Sequence, residues 1–313
     1  METLTRSRSP ETASQVQQAR RGLLVFASLL VPLSLLGYWW WYINKAIELP
    51  FVASAPLMWS PALASLITRL ILREGFADVS FRSGGRRSLR AILLAFAVPL
   101  LVGSLAYGSA YLTGLAQLAP PALPFLPPST SPLASLALVV ALSGTLGTLV
   151  SLPNAAGEEI GWRGYLLPRL IAAGAPRPIL LTGLIWGAWH LVPLFTAGYA
   201  AGPSLLFSAL ILMIQIVSAS YIAAWMRLDT GSIWPCIAQH AAWNAIINGA
   251  FTPSTQGETA FYWLGESGVL VTLALVGVTL VIGRAGRSWI TRGRLFYTPG
   301  LALPPTDMPP HQA

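Results

Sequence analysis

Long apolar runs constrain this chain more than any other feature. Such runs recur between Leu23 and Gly283, and each approaches the roughly 20 residues that a helix needs to cross the hydrocarbon core of a bilayer. Of the 313 residues, 54% are hydrophobic and only 10% are charged, which is more apolar surface than one soluble core can bury. The sequence therefore predicts an all-α fold, a polytopic helical bundle in a membrane.

The apolar runs can be drawn as eight membrane crossings. They cover residues 23–43, 52–72, 89–113, 133–172, 179–197, 204–226, 232–250 and 267–284. The fourth is expected to break at Pro153–Asn154, since proline removes a helical hydrogen bond. We predict a polar N-terminal tail over 1–22, a transmembrane domain over 23–284 and a basic, then proline-rich tail over 285–313. The polar and proline-rich ends are expected to be extended or disordered.

The basic residues divide unevenly between the two ends of these spans. Of the 19 Lys and Arg residues, all except Lys45 fall at one end. Because Lys and Arg accumulate on the cytoplasmic side, we predict cytoplasmic termini in a bacterial plasma membrane and a site that water reaches from the cytoplasm. No basic run is interleaved with aromatic residues, so we expect the lipid bilayer as partner and no nucleic acid. The aromatic residues 39–42 are typical of an interfacial belt.

Two adjacent glutamates lie in an apolar segment and need an explanation. A charge deep in a bilayer costs about 2.5–3.5 kcal/mol on insertion scales, so it normally faces a partner or a cavity. Arg163 follows Glu159 by four residues, and the helical repeat places both on one face, where the guanidinium can hold the carboxylate in a bidentate pair. Glu158 points about 100° away. The spacing therefore predicts a structural ion pair beside a carboxylate that is free to act as a general base.

Two of the three histidines also lie in apolar segments. His190 shares a helix face with Gly183 and Gly187, and these small residues are expected to leave open space beneath the imidazole. His240 and Asn244 are four residues apart and therefore project the same way. Together with the glutamates they form a set of base, imidazole and amide groups that favours hydrolysis.

Other classes of function are less well supported. Neither Gly-x-Ser-x-Gly, His-Glu-x-x-His nor a phosphate-binding Gly-x-x-x-x-Gly-Lys motif occurs, which disfavours a serine hydrolase, a zincin and an NTPase. Buried acids and histidines also build transporters and proton pathways, although no inverted repeat is detectable here. A third alternative is a non-catalytic, immunity-type membrane partner that keeps these residues for packing.

Three segments, around the paired glutamates, around His190 and from His240 to Asn244, resemble the motifs of a known family. Gly157–Tyr165, which reads Gly-Glu-Glu-Ile-Gly-Trp-Arg-Gly-Tyr, is similar to the Glu-Glu-x-x-x-Arg motif of the CAAX prenyl endopeptidase and bacteriocin-processing intramembrane peptidases. Trp186–His190 resembles the second motif, with Trp where Phe is usual, and His240–Asn244 resembles the third, His-x-x-x-Asn. The motifs occur in the family's order.

The resemblance implies a role for each residue. Glu158 would activate water with help from His190, while Glu159 pairs with Arg163. His240 and Asn244 would polarise the scissile carbonyl or, with Glu158 and His190, bind a divalent metal such as zinc. Catalytic zinc normally takes three His or acidic ligands, so we prefer the metal-free alternative without excluding the other. The expected substrate is a membrane-associated peptide or lipidated protein, cut by an endopeptidase.

Overall fold

Helices dominate the computed structural model, which describes residues 10–44, 50–121, 127, 131–202 and 204–285. The α-helices are α1 (Pro10–Ile43), α2 (Pro50–Met58), α3 (Ser60–Leu72), α4 (Gly85–Thr113), α5 (Pro132–Leu142), α6 (Thr148–Gly161), α7 (Leu167–Ala172), α8 (Pro178–Ala197), α9 (Leu205–Thr230), α10 (Trp234–Trp243), α11 (Ala260–Trp263) and α12 (Val269–Ala285). Three π-helical turns, Ser143–Gly147, Trp162–Leu166 and Asn244–Phe251, continue α5, α6 and α10. A 3₁₀ turn covers Ala77–Val79.

The predicted membrane bundle is confirmed. Six helical segments among the described residues are long and apolar enough to cross a bilayer, and α12 is a shorter apolar helix. The eighth predicted span corresponds to α10 and its π-helical continuation. The protein is therefore an integral, multi-pass membrane protein, while the count of eight crossings and the cytoplasmic position of the termini stay predictions. Residues 1–9, Lys45 and the tail from 286 to 313 lie outside the described residues.

Two expectations about local structure are wrong. Residues 10–22 are not extended, because α1 begins at Pro10 and buries Val16 and Ala19. The predicted break at Pro153–Asn154 does not occur either, and the helix is continuous from Pro132 to Ala172. Proline is tolerated inside membrane helices because neighbouring groups can satisfy the carbonyl that it frees. The irregular turns lie instead on either side of the paired glutamates.

Glycines bring the glutamate-bearing helix α6 into close contact with α2 and α3. A Cβ at Gly157 would lie 2.7 Å from the carbonyl oxygen of Met58, and one at Gly161 would lie 2.3 Å from Cβ of Pro61. No larger side chain fits at either position without a backbone shift. Gly157 and Gly161 of the first motif thus fix the depth and orientation at which Glu158 faces its neighbours.

The glycines beneath His190 serve packing. A Cβ at Gly183 would lie 3.1 Å from Cβ of Ser220, and one at Gly187 would lie 2.4 Å from Sδ of Met213. Both contacts belong to α9, so the glycine face permits the close approach of α8 and α9. The expectation of open space on this face of His190 is wrong, because α9 fills it.

The arginine-rich end of the bundle is closed by an ion network. Arg69 pairs with Asp78, and Arg169 bridges Asp78 at 2.8 Å and Glu74 at 2.9 Å. Arg227 donates to two backbone carbonyls, including that of Asp78 at 2.7 Å. At the opposite, arginine-poor end the strands β1 (Gln117–Leu118) and β2 (Thr255–Gln256) pair antiparallel. The two ends therefore differ in charge and in construction.

Candidate active site

Glu158 is held by two tryptophans. Its carboxylate is 1% exposed, and Oε2 accepts hydrogen bonds from the indole nitrogens of Trp162, at 3.1 Å, and Trp186, at 2.7 Å. Oε1 lies 4.0 Å from Nε2 of His240. We expected this carboxylate to be free of partners, but one oxygen is fixed by two neutral donors. The other oxygen is left to face the histidine.

Glu159 joins two motifs. It is fully buried, and Oε1 accepts from Nη1 of Arg163 at 2.8 Å, which confirms the ion pair but not its bidentate form. The same oxygen contacts Nδ1 of His240 at 3.0 Å. Because a carboxylate oxygen accepts, His240 donates from Nδ1 and turns Nε2 toward Glu158. Glu159 is thus a partner of the second histidine as well as of the arginine.

The guanidinium of Arg163 is only partly used by this ion pair. Its Nε and Nη2, together with Oε2 of Glu159, are buried without a hydrogen-bond partner among the described residues. The guanidinium carbon lies 4.2 Å from the centre of the Trp186 ring, which is a cation–π contact. Trp186 therefore contacts two charged residues of the site. Its indole nitrogen donates to Glu158, and its ring packs against Arg163, which neutralises Glu159.

His190 presents one nitrogen to the site. Its Nδ1 lies 3.0 Å from the carbonyl oxygen of Trp186, and a carbonyl can only accept, so Nδ1 carries the proton in the neutral ring. Nε2 is then an acceptor. The ring packs edge-on against Trp189, with centroids 4.9 Å apart, and lies 5.9 Å from the ring of Tyr199. Aromatic packing fixes the orientation of this imidazole.

A cavity of about 400 Å³ joins these groups. Glu158, His190, His240 and Asn244 all line it, whereas Glu159 and Arg163 lie outside its lining. Asn244 is the first residue of the π-helical turn after α10. Its side-chain amide has no hydrogen-bond partner in the part of the chain that the structure describes. Such turns often occur at functional sites because they reorient side chains within a helix.

The cavity extends toward the arginine-poor end. Trp41, Tyr199, Asn248 and Glu266, which lie at or beyond the helix ends on that side, line it. On the other side Glu159 and residues 161–165 are buried. Packed side chains thus lie on the arginine-rich side of the site, and the expectation that water reaches it from that end stays a prediction.

The cavity also corrects the interpretation of the aromatic belt. Trp39, Trp40 and Tyr42 are exposed, as a belt requires. Trp41 is half-buried, lines the cavity and packs edge-on against Tyr199 with ring centroids 6.2 Å apart. One member of the run is thus part of the candidate site.

The donor set does not match a zinc site. Among the described residues, no group of three His, Cys, Asp or Glu side chains is arranged to hold a metal ion. Nδ1 of His240 is used by Glu159, and Oε2 of Glu158 by two indoles. Catalytic zinc normally has three protein ligands and a water, and an Asn amide would have to supply the third or fourth here. The metal-free reaction that the sequence favours stays a prediction.

The sequence identified six residues of the cluster but missed others that contact them. All six predicted residues are within one site, four on the cavity and two behind it. Trp162 was not predicted, although it follows Glu158 by four residues and so shares its helix face. Tyr199 and Glu266 carry no local signal, since they come from separate loops at the arginine-poor end.

Comparison with known families supports the same three motifs. The family model described as Rce1-like, type II CAAX prenyl endopeptidase Rce1-like, matches residues 134–246. The matched segment runs from α5 into the π-helical turn after α10 and contains every motif residue from Glu158 to Asn244. A comparison with curated proteins found no match. The resemblance seen in the motifs is confirmed: residues 134–246 are similar to the Rce1-like, type II CAAX prenyl endopeptidase family.

Proposed function

We propose that this protein is an endopeptidase that hydrolyses a peptide bond in a membrane-associated peptide or lipidated protein, with Glu158 as the general base. The observation that carries the proposal is the carboxylate of Glu158, which is almost fully buried yet lines a cavity together with two histidines and an amide. A buried carboxylate without a Lys or Arg partner is energetically costly, so such a residue usually marks a functional site. The family match supports the hydrolytic reaction class.

Water activation follows from the hydrogen bonds of Glu158. The two indole N–H groups hold Oε2, so that Oε1 is the oxygen that accepts the proton of a bound water. Nε2 of His190 accepts the water's second hydrogen and orients a lone pair toward the scissile carbonyl. Attack forms the new C–O bond, and the proton taken up by Glu158 then passes to the leaving amine as the C–N bond breaks.

His240 and Asn244 are suited to bind the oxyanion. A protonated His240 donates Nδ1–H to Glu159 and presents Nε2–H to the cavity, beside the amide N–H of Asn244. Two donors at the developing negative charge are the usual arrangement for acyl transfer. The charges also balance, since Arg163 and an imidazolium offset the two carboxylates in a medium of low dielectric constant. No metal is required by this mechanism.

The substrate is proposed to enter from the arginine-poor end, because the cavity extends that way. The distribution of basic residues predicts that this end is not cytoplasmic. A membrane-associated chain whose scissile segment lies at the outer side of the bilayer would reach Glu158 without passing the buried arginine layer.

Replacement of Glu158 by Gln tests the proposed function. Glu158→Gln keeps the size of the side chain and its hydrogen bond to one indole but removes the base, and we expect cleavage of membrane-tethered peptides by purified protein in liposomes to fall at least about 10³-fold. Glu258→Gln, an equal charge change on an exposed loop, should retain activity. Wild-type activity in Glu158→Gln would overturn the proposal. Ion or proton flux without cleavage would favour a transporter, and neither activity would favour a binding partner.

A further inference from the structure

A third carboxylate lies on the same cavity. Glu266, in the loop before α12, lines the cavity at its arginine-poor end together with Tyr199 and Asn248. It accepts a hydrogen bond from the hydroxyl of Tyr199 on Oε2 and one from the amide of Asn248, at 2.7 Å, on Oε1. Three elements that are distant in sequence thus orient this carboxylate, and they do so with neutral donors only.

No Lys or Arg among the described residues forms a salt bridge with Glu266. Within the described ranges, no Lys or Arg lines the cavity. Each carboxylate oxygen has a second lone pair after accepting one hydrogen bond, so both remain able to accept from a ligand. Burial and the adjacent carboxylate of Glu266 raise the pKa of Tyr199 well above its ordinary value, so the phenol remains a neutral donor and adds no charge.

The aromatic side chains around this carboxylate also suit a cation. Trp41 and Tyr199 both line the cavity, and their rings pack edge-on with centroids 6.2 Å apart. Aromatic faces beside a carboxylate attract an ammonium or guanidinium group by cation–π interaction. The carboxylate and the two rings are thus independent features that favour the same class of ligand.

We infer that Glu266, with Asn248, Tyr199 and Trp41, forms a subsite that binds a Lys or Arg side chain or an amino terminus of the substrate. Tyr199 links the subsite to the reaction centre, because its ring lies 5.9 Å from that of His190 while its hydroxyl contacts Glu266. A bound cation would then lie about two to four residues from the scissile bond in an extended peptide. The inference rests on the proposed function and names the substrate class as a cationic peptide.

The position of the subsite disfavours an anionic group next to Glu266. A free carboxylate near the subsite would meet Glu266 and no Lys or Arg on the described cavity wall, and like charges at short range repel. The cavity is therefore selective for charge as well as for the apolar residues that its tryptophans contact.

Matched peptides test the subsite. Apolar peptides that differ at one position, with Lys, norleucine or Glu placed one to four residues on either side of the scissile bond, are compared for equilibrium binding to the purified protein and for cleavage in liposomes. At the position that meets the subsite, we expect wild-type protein to bind the Lys peptide about tenfold more tightly than the norleucine peptide, and the Glu peptide least. Glu266→Gln should bring the Lys and norleucine peptides to about equal affinity, and Glu258→Gln should keep the preference.

The outcomes separate this inference from the proposed function. Equal binding of the three peptides by wild-type protein at every position, or an unchanged preference in Glu266→Gln, would overturn the subsite. Cleavage that depends on Glu158 but ignores peptide charge would overturn the subsite alone. A charge preference that is lost in Glu266→Gln, in a protein that cleaves nothing, would support the subsite and reject the peptidase. A folded Glu266→Gln protein is verified by its unchanged binding of the norleucine peptide.

Discussion

The two ends of the bundle treat buried charge in opposite ways. At the arginine-rich end, Arg69 and Arg169 reach carboxylates, and Arg227 donates to backbone carbonyls. At the cavity end, the hydrogen bonds that Glu158 and Glu266 accept within the described residues come from indole, phenol and amide groups. Paired charges fix the position of helices, whereas a carboxylate that is oriented but not neutralised can accept a proton or a cation. The difference lies in the partners, since the carboxylates are chemically alike.

The glutamate pair repeats this contrast between adjacent residues. Glu159 contacts Arg163 and His240 and lies behind the cavity wall, whereas Glu158 contacts two indoles and faces the cavity. A helix turns neighbouring side chains about 100° apart. A single residue step along the helix thereby places a structural carboxylate and a candidate catalytic one on different faces, and each can be tested by substitution.

The largest expected effect is an all-or-none difference in the labelling of cysteines placed at the two ends of the bundle, which reports their sides of the membrane. Thr259→Cys places a thiol on an exposed loop at the arginine-poor end, and Ser83→Cys places one at the arginine-rich end. The single native cysteine, Cys236, is buried and should not react. A membrane-impermeant maleimide should label only Thr259→Cys in intact cells and label Ser83→Cys after lysis. Labelling of Ser83→Cys in intact cells would reverse the predicted orientation.

Next in size is the loss of stability when the buried ion pair is broken. Arg163→Met leaves Glu159 as an uncompensated buried charge, and we expect the free energy of unfolding to fall by about 3–5 kcal/mol, measured by denaturation in mixed detergent. Arg90→Met, at an exposed position of α4, is the control and should change stability by less than about 0.5 kcal/mol.

A double variant separates the charge effect from simple loss of packing. Adding Glu159→Gln to Arg163→Met removes the stranded charge, so part of the lost stability should return if electrostatics dominates. A double variant that is as unstable as the sum of the two single variants would show that Arg163 contributes mainly through its contact with Trp186. That result would weaken the contrast between paired and unpaired carboxylates.

The sequence predicts the bundle and the core of the site because both depend on local spacing. Glu159 and Arg163, or His240 and Asn244, are four residues apart, and the helical repeat alone places each pair on one face. The cavity end could not be predicted in this way. Glu266 reaches Tyr199 and Asn248 through tertiary packing of separate elements, and no periodic pattern records such contacts.

The wrong expectation of open space beside His190 has a physical origin. Gly183 and Gly187 mark a face with small side chains, but the sequence does not state whether a helix or a cavity occupies the space beside it. In the structure α9 occupies it. The direction of access to the site was inferred from charge and stays a prediction, although Trp162 and Arg163 are fully buried on the arginine-rich side.

Asn244→Ala sharpens the comparison within the cavity. If the amide contacts the oxyanion, kcat should fall about 10²–10³-fold while KM changes little. Asn248, one turn further along the same segment, contacts Glu266 and belongs to the proposed subsite. Asn248→Ala should therefore raise KM for a Lys-containing peptide with a smaller effect on kcat. The reverse pattern in the two variants would exchange the roles of reaction centre and subsite.

A smaller effect is expected from the indole that orients Glu158. Trp186→Phe removes the 2.7 Å hydrogen bond to Oε2 but keeps an aromatic ring near Arg163. We expect kcat/KM to fall about tenfold, the value of one hydrogen bond to a charged group. Trp189 lies in the same helix as Trp186 and donates its indole hydrogen bond to Ser34 of α1. Trp189→Phe should therefore lower kcat/KM much less. Equal losses in the two variants would mean that ring size, and not the hydrogen bond, positions the carboxylate.

The smallest expected effect is that of metal removal. Since Glu158 and His240 are already engaged by indoles and by Glu159, and since the neutral donors of the cavity can orient water and oxyanion by themselves, thorough chelation should leave kcat/KM unchanged. Activity is measured in liposomes before and after chelator treatment, with metal analysis of the same preparation. Loss of activity that added zinc restores would require Glu158, His190, His240 and Asn244 to rearrange as ligands. The cavity end would then resemble the arginine-rich end after all, with its carboxylate neutralised by a cation.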